Sequence, residues 1–261
     1  MTGTWRWLAF VLAAIIGALA SAVAFAPAEF VGYAIAQASR GRVHLADVSG
    51  TVWSGRARVV VADQTAPPDA EGIVAAGFAI PGHLAWQVRP LPLVVGLVDA
   101  SIRLESMRAP VRLGGVPADL RVSAGSLDLS SAQLAALGSP WNTIRPAAAL
   151  ALNWGALTIR NGVLDGRVNI ELRDVASAMT PVRPLGTYRI NVAGTGRDVT
   201  IGLQTVSGPL QLQGRGSWDK AAGLRFTADA KAEGPQAQRL QSLLALIGRR
   251  EGERTIIRIG G

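Results

Sequence analysis

The chain has 261 residues, 49% of apolar type and only 17% charged, with a formal net charge of +8. That is ample apolar material for a core and too much for a disordered chain. The lack of cysteine excludes a disulfide scaffold, a zinc ribbon and a thiol nucleophile, and two histidines, His44 and His83, exclude a histidine-rich metal site.

At about 150 residues per domain, the length allows one large domain or two small ones. The basic residues are nearly all arginine and form no run of four, and aromatics are 5% of the chain. That pattern does not support a nucleic-acid surface, although it leaves open an anionic partner or anionic lipid.

The first segment is a short tail, residues 1–7, followed by a stretch without charge from Leu8 to Ala28. As a helix that stretch would be about 32 Å long, enough to cross a hydrocarbon core. Trp5 and Trp7 stand where an interfacial aromatic belt would lie. Ala18-Leu19-Ala20, Ala20-Ser21-Ala22 and Ala24-Phe25-Ala26 resemble cleavage sites of a signal peptide. The run is longer than a signal h-region of about 7–15 residues, so a retained anchor is preferred. Either reading carries residues 29–261 across the membrane, with the N-terminus in the cytoplasm.

Beyond Glu29 the pattern has period two. Leu84, Trp86 and Val88 alternate with Ala85, Gln87 and Arg89. The same alternation marks Leu120–Ala124, Val168–Leu172, Leu210–Gly214 and Leu224–Ala228. Strands with one buried face give this signature. Gly114-Gly115, Asn161-Gly162, Asp165-Gly166, Gly194-Thr195-Gly196 and Ser207-Gly208-Pro209 read as turns between them. Gln64 to Gly72, with Pro67-Pro68-Asp69, reads as an exposed loop. Ser130 to Leu137 reads as a turn or two of helix.

Gln236 to Ile247 is the clearer helix, with Leu240, Leu243, Leu244 and Ile247 on one face, Pro235 at its start and Gly248 as a C-cap. Thr255 to Ile259 reads as a last strand. The break at Leu137–Pro146 divides the body into two lobes, about 40–138 and 145–261. The expected fold is all-β. An N-terminal transmembrane helix precedes a long, curved antiparallel sheet or open sandwich with one or two short covering helices.

No catalytic spacing emerges. There is no Gly-x-Ser-x-Gly elbow and no phosphate loop, and Gly194-Thr195-Gly196 lacks the third glycine of a dinucleotide fingerprint. Asp165, Glu171 and Asp174 have no partner at a fixed offset and read as solvated strand or turn positions. The chain is therefore expected not to be an enzyme, with no catalytic, cofactor-binding or metal-binding residues.

The most unusual stretch is Val48-Ser49-Gly50-Thr51-Val52-Trp53-Ser54-Gly55-Arg56-Ala57. Gly50 and Gly55 permit a tight turn and a bulge around the indole of Trp53, which can then pack under the neighbouring strand. The preferred reading is a structural corner that starts the sheet, and a partner contact is the other.

With a single N-terminal span and a connection ahead of it, this block resembles the type II secretion system protein N family of Gram-negative bacteria. Its family residues are Gly50, Thr51, Trp53, Ser54, Gly55 and Arg56. Leu84-Ala85-Trp86-Gln87-Val88-Arg89-Pro90-Leu91 resembles the family's next block, carried by Trp86, Pro90 and Leu91. Leu164-Asp165-Gly166-Arg167 and Leu212-Gln213-Gly214-Arg215-Gly216 resemble its later strands. The resemblance implies a single-pass inner-membrane protein with a periplasmic β domain. It would be an accessory subunit that assists export of folded proteins and contacts the inner-membrane platform or the outer-membrane channel. It implies no catalytic residues. A second resemblance, to AsmA-like periplasmic proteins, implies lipid binding or transfer in an apolar groove. An uncovered groove would favour lipid, and a face sealed by the 236–247 helix would favour a subunit.

Overall fold

A computed structural model describes residues 3–62, 77–133, 146–219, 223–252 and 254–260. The expected loop at 64–72 and the break between the lobes lie outside these residues. Two helices lead, α1 (Gly3–Ala24) and α2 (Glu29–Ala38). Strands β1 (Val43–Gly50), β2 (Ser54–Ala62), β3 (Gly77–Ala79) and β4 (Leu84–Val88) follow. A short α3 (Pro90–Val94) then leads to β5 (Val98–Leu104), β6 (Val111–Val116), β7 (Asp119–Val122) and β8 (Gly125–Gln133). The second half holds β9 (Pro146–Trp154), β10 (Leu157–Arg160), β11 (Val163–Ser177), β12 (Gly186–Thr195) and β13 (Val199–Ser207). It ends with β14 (Leu210–Asp219), β15 (Gly223–Ala232), α4 (Ala237–Ile247), β16 (Arg249–Glu251) and β17 (Arg254–Ile259).

All the strands belong to one antiparallel sheet in which chain neighbours are mostly sheet neighbours. The order runs β1, β2, β4, β5, β6, β7, β10, β11, β12, β13, β14, β15, β17. Strand β3 lies beside the second half of β2, and β16 beside the start of β17. The β8–β9 hairpin prolongs β7 and β10, and β9 also pairs with the second half of β11. The sheet therefore continues across the position expected to divide two lobes.

Period two becomes a continuous apolar face. Register aligns Leu127, Leu152, Ile170, Ile190 and Leu203 across five adjacent strands, and the row goes on through Gly214 and Ala228 to Ile257. Bulges bend it. Asp47 and Asp174 adopt φ of 51° inside strands β1 and β11, where the register slips. Aspartate tolerates that left-handed conformation better than most residues, and the extra residue curls the strand.

Helix α4 covers one part of this face. Leu240, Leu243 and Leu244 are buried against Val175, Leu185, Tyr188, Leu210 and Ala230. Each leucine so buried is worth about 1.5–3 kcal/mol. The Tyr188 hydroxyl donates to the Leu210 carbonyl at 2.9 Å, and burial pushes its pKa upward. An apolar cavity of about 160 Å³ remains between helix and sheet, lined by residues such as Ile190, Leu203, Phe226 and Ile247. A smaller core forms where Val31 of α2 packs with Leu45, Val48, Ala57 and Trp86.

Several expectations need correction. Ser130–Gln133 are strand, not helix, because Ala132 and Gln133 pair with Ala148 and Ala147; residues 134–137 lie outside the described residues. Cross-strand pairing outweighs weak local helix preference there. Gly114-Gly115 and Asp165-Gly166 are not turns but lie within β6 and β11, with Gly115 and Gly166 at positive φ. Gly248 is extended, not a left-handed cap, because it feeds directly into β16.

Helix α1 ends at Ala24, so residues 25–28 of the expected span are non-helical, and α2 was not anticipated. Among the described residues, no helix is long and apolar enough to cross a membrane.

Candidate functional site

The block from Gly50 to Arg56 forms the corner between β1 and β2. Gly50 pairs with Gly55 and has φ of +99°. A side chain on Gly50 would run into the backbone of Ser54. The Thr51 hydroxyl accepts from the Trp53 and Ser54 amides at 3.3 and 3.2 Å, and the Thr51 amide donates to Ser54 O at 2.9 Å. Backbone demand at Gly50 and a hydroxyl clamp at Thr51 thus fix the turn.

Trp86 keeps the buried position expected of its strand, whereas Trp53 does not pack under a neighbouring strand as expected. Trp86, not Trp53, packs under the corner. It is 6% exposed, lies over Gly55 where any Cβ would meet its indole, and donates Nε1–H to Val52 O at 3.2 Å. The cause is register, since Gly55 pairs with Trp86 and leaves open the space the ring fills. Trp53 sits in the turn, half-buried, and donates Nε1–H to Val23 O at 2.8 Å, at the end of α1. The same junction is held by Val52 N–H to Ala26 O at 2.9 Å and Ala28 N–H to Gly50 O at 3.2 Å.

Ser54 and Arg56 point to the other, polar face. There Arg56 pairs with Ala85, which pairs with Arg103. The two arginines flank a methyl group, with backbones about 10 Å apart at ordinary strand spacing. With Ser49, Ser54, Gln87, His83 and Glu105 they line an open depression of about 640 Å³. Arg112 opposes Ser101 on β6, and Arg121 opposes Gly114 on β7, so the line continues diagonally. Four exposed arginines thus cross roughly 19 Å of one face.

Their neighbours are neutralised. Arg58 pairs with Asp47, His83 with Glu105 at 3.1 Å, Arg89 with Asp99 at 2.9 Å and Arg108 with Asp128 at 3.3 Å. Among the described residues, Arg56, Arg103, Arg112 and Arg121 make no ion pair. Only Arg56 stands out in the linear sequence. The other three share its strand parity, a signal that can be read only once the register is known.

Pro90 and Leu91 lie outside the depression. Pro90 starts α3, and Leu91 projects into solvent.

Of the residues considered for chemistry, Glu171 and His44 have partners of their own. Glu171 accepts from Arg173 Nε at 2.7 Å and lies 3.6 Å from Arg189, and the Arg173 hydrogen bond lowers its pKa. A carboxylate held ionised is a poor general acid. His44 Nε2 lies 2.9 Å from Gly41 O, at the end of α2. Among the described residues, no three His, Asp or Glu side chains gather to hold a metal.

The family model for type II secretion system protein N matches residues 41–257. The chain belongs to that family. The match takes in the glycine–tryptophan corner, the arginine row and α4. No curated protein and no solved structure matches the chain. The chain is thus a type II secretion system component.

Proposed function

We propose that this protein is an accessory inner-membrane subunit of the type II secretion system. Helix α1 crosses the membrane once, the sheet lies in the periplasm, and the protein assists export of folded proteins through protein–protein contacts, not catalysis. The observation that carries the contact surface is the row of arginines, without carboxylate partners among the described residues, beside the family corner. Such a patch attracts an acidic surface, giving orientation and association rate.

The junction with the sheet supports a retained α1. Cleavage after Ala26 would remove both Val23 O and Ala26 O, which receive Trp53 and Val52. The run from Leu8 to Ala28 carries no charge, as a span requires. The lipid-transfer reading needs an open groove. Helix α4 instead covers the face over β11–β17, and the cavity left is below the roughly 300–1,000 Å³ of ordinary ligand pockets.

The test is short-arm crosslinking in intact membranes, followed by capture of the protein and identification of its neighbours. Recovery of inner-membrane platform subunits or of the outer-membrane channel is expected. Recovery of phospholipid or lipopolysaccharide without any such subunit would overturn the reading.

A further inference from the structure

Among the described residues, the β4–β5 connection is the most apolar exposed segment of the sheet domain. Leu91, Val94 and Val95 are 82%, 84% and 73% exposed, and Leu93 and Leu97 are also exposed. No charge lies between Arg89 and Asp99. Contiguous exposed apolar side chains mark a docking surface.

The segment is ordered. Val95 and Leu97 N–H donate to Pro92 O at 3.1 and 2.9 Å, and Gly96 N–H donates to Leu93 O at 3.0 Å. Its backbone donors therefore need less from water, which suits a segment that leaves water.

Its position identifies what it docks to. Val88 N–H, at the end of β4, donates to Trp53 O at 2.6 Å, and the Trp53 indole donates to Val23 at the end of α1. Two hydrogen bonds, both through Trp53, thus tie the root of this segment to the helix end. Phe25, next to that end, and Phe30 and Tyr33 on α2 are exposed. Aromatic side chains of this kind gather at the level of lipid headgroups. Arg89 and Asp99 pair at the base of the segment, placing charge at the water side of its apolar tip.

We infer that the 90–97 segment is a second membrane contact: Leu91, Val94 and Val95 insert into the outer-leaflet interface beside α1 and fix the tilt of the sheet over the bilayer. Two attachment points suppress rotation about a single helix, so the arginine row faces a constant direction. The inference rests on the proposed span of α1.

The chain has no cysteine, which permits single-site labelling. Val94→Cys, Ile15→Cys and Thr227→Cys variants of the full chain would carry the environment-sensitive fluorophore NBD. Each would be reconstituted in phosphatidylcholine–phosphatidylglycerol vesicles with or without doxyl-labelled lipid. The expected result is blue-shifted emission and doxyl quenching at positions 94 and 15, with iodide quenching alone at 227. If position 15 responds to doxyl lipid and 94 only to iodide, the inference fails while the anchor stands. If 94 is shielded from both quenchers, a protein surface covers the segment and the inference fails as well. Lack of doxyl quenching at 15 removes the anchor reading, and the result at 94 still decides whether the segment meets lipid.

Discussion

Gly55 and Trp86 share one volume, and that fact sets the energetics of the family corner. Removing the indole should cost about 3–5 kcal/mol, because the cavity cannot refill across a sheet. Gly55→Ala should cost about 1–3 kcal/mol through overpacking in the wild type, and less beside Trp86→Ala, where only the clash with the Ser49 carbonyl remains. A double-mutant cycle by urea unfolding measures this coupling, and simple additivity would refute the shared volume. Trp53→Ala should lose less, about 1 kcal/mol for its hydrogen bond. The linear motif points to Trp53 because it lies between the two glycines, whereas the cross-strand register identifies Trp86.

Glu171 gives a pH prediction at the same scale. Its pKa is lowered from the ordinary 4.5, first by the Arg173 hydrogen bond. Its contribution to stability is therefore fully present above 4.5 and is lost as pH falls through the lowered native value. The difference in melting temperature between wild type and Glu171→Gln should be constant near neutrality and close in acid. A difference that widens in acid would contradict this. The carboxylate and its arginine partners are open to solvent in part, so the difference is small.

Among the elements, the corner has an echo. Trp154 lies over Gly125, and its Nε1–H donates to Ser123 O at 3.0 Å, as Trp86 does over Gly55 toward Val52. In both cases an indole on one strand covers a glycine on the next where the chain bends. Strands such as β4, β11 and β15 were legible because one face meets core and the other water. Helix α2 was not, because Phe30, Val31, Tyr33 and Ile35 prolong the apolar run of α1 and hide the boundary. Helix α4 was legible from its leucines. Leu240→Ala should cost about 2–5 kcal/mol. Loss of near-ultraviolet signal from the buried Tyr188 at lower urea would show it, whereas an unchanged midpoint would mean that α4 is not part of the cooperative core.

Across the whole molecule the sheet is one curved surface with two chemistries. Its apolar face is partly closed by α2 and α4. Its polar face presents, in the first half, arginines whose neighbours are neutralised from adjacent strands. Their alignment was invisible in sequence because Arg56, Arg103, Arg112 and Arg121 are spread over 66 positions of the chain. The site was therefore legible only in part, as the corner and Arg56. Reversing two charges by Arg103→Glu and Arg112→Glu should leave the free energy of urea unfolding within about 0.5 kcal/mol, as for solvated surface positions. It should also lower capture of secretion subunits by roughly tenfold at low salt. Equal capture would remove the row from the contact.

The central claim is that this face docks to another secretion protein, and it is tested most directly by a photocrosslinker at Ala85, between Arg56 and Arg103, in cells assembling the system. The expected product is a crosslink to another secretion-system protein, absent when the same probe stands at Ala193 on the polar face of the second half. Crosslinks to lipid alone, or equal yields at both positions, would contradict the account.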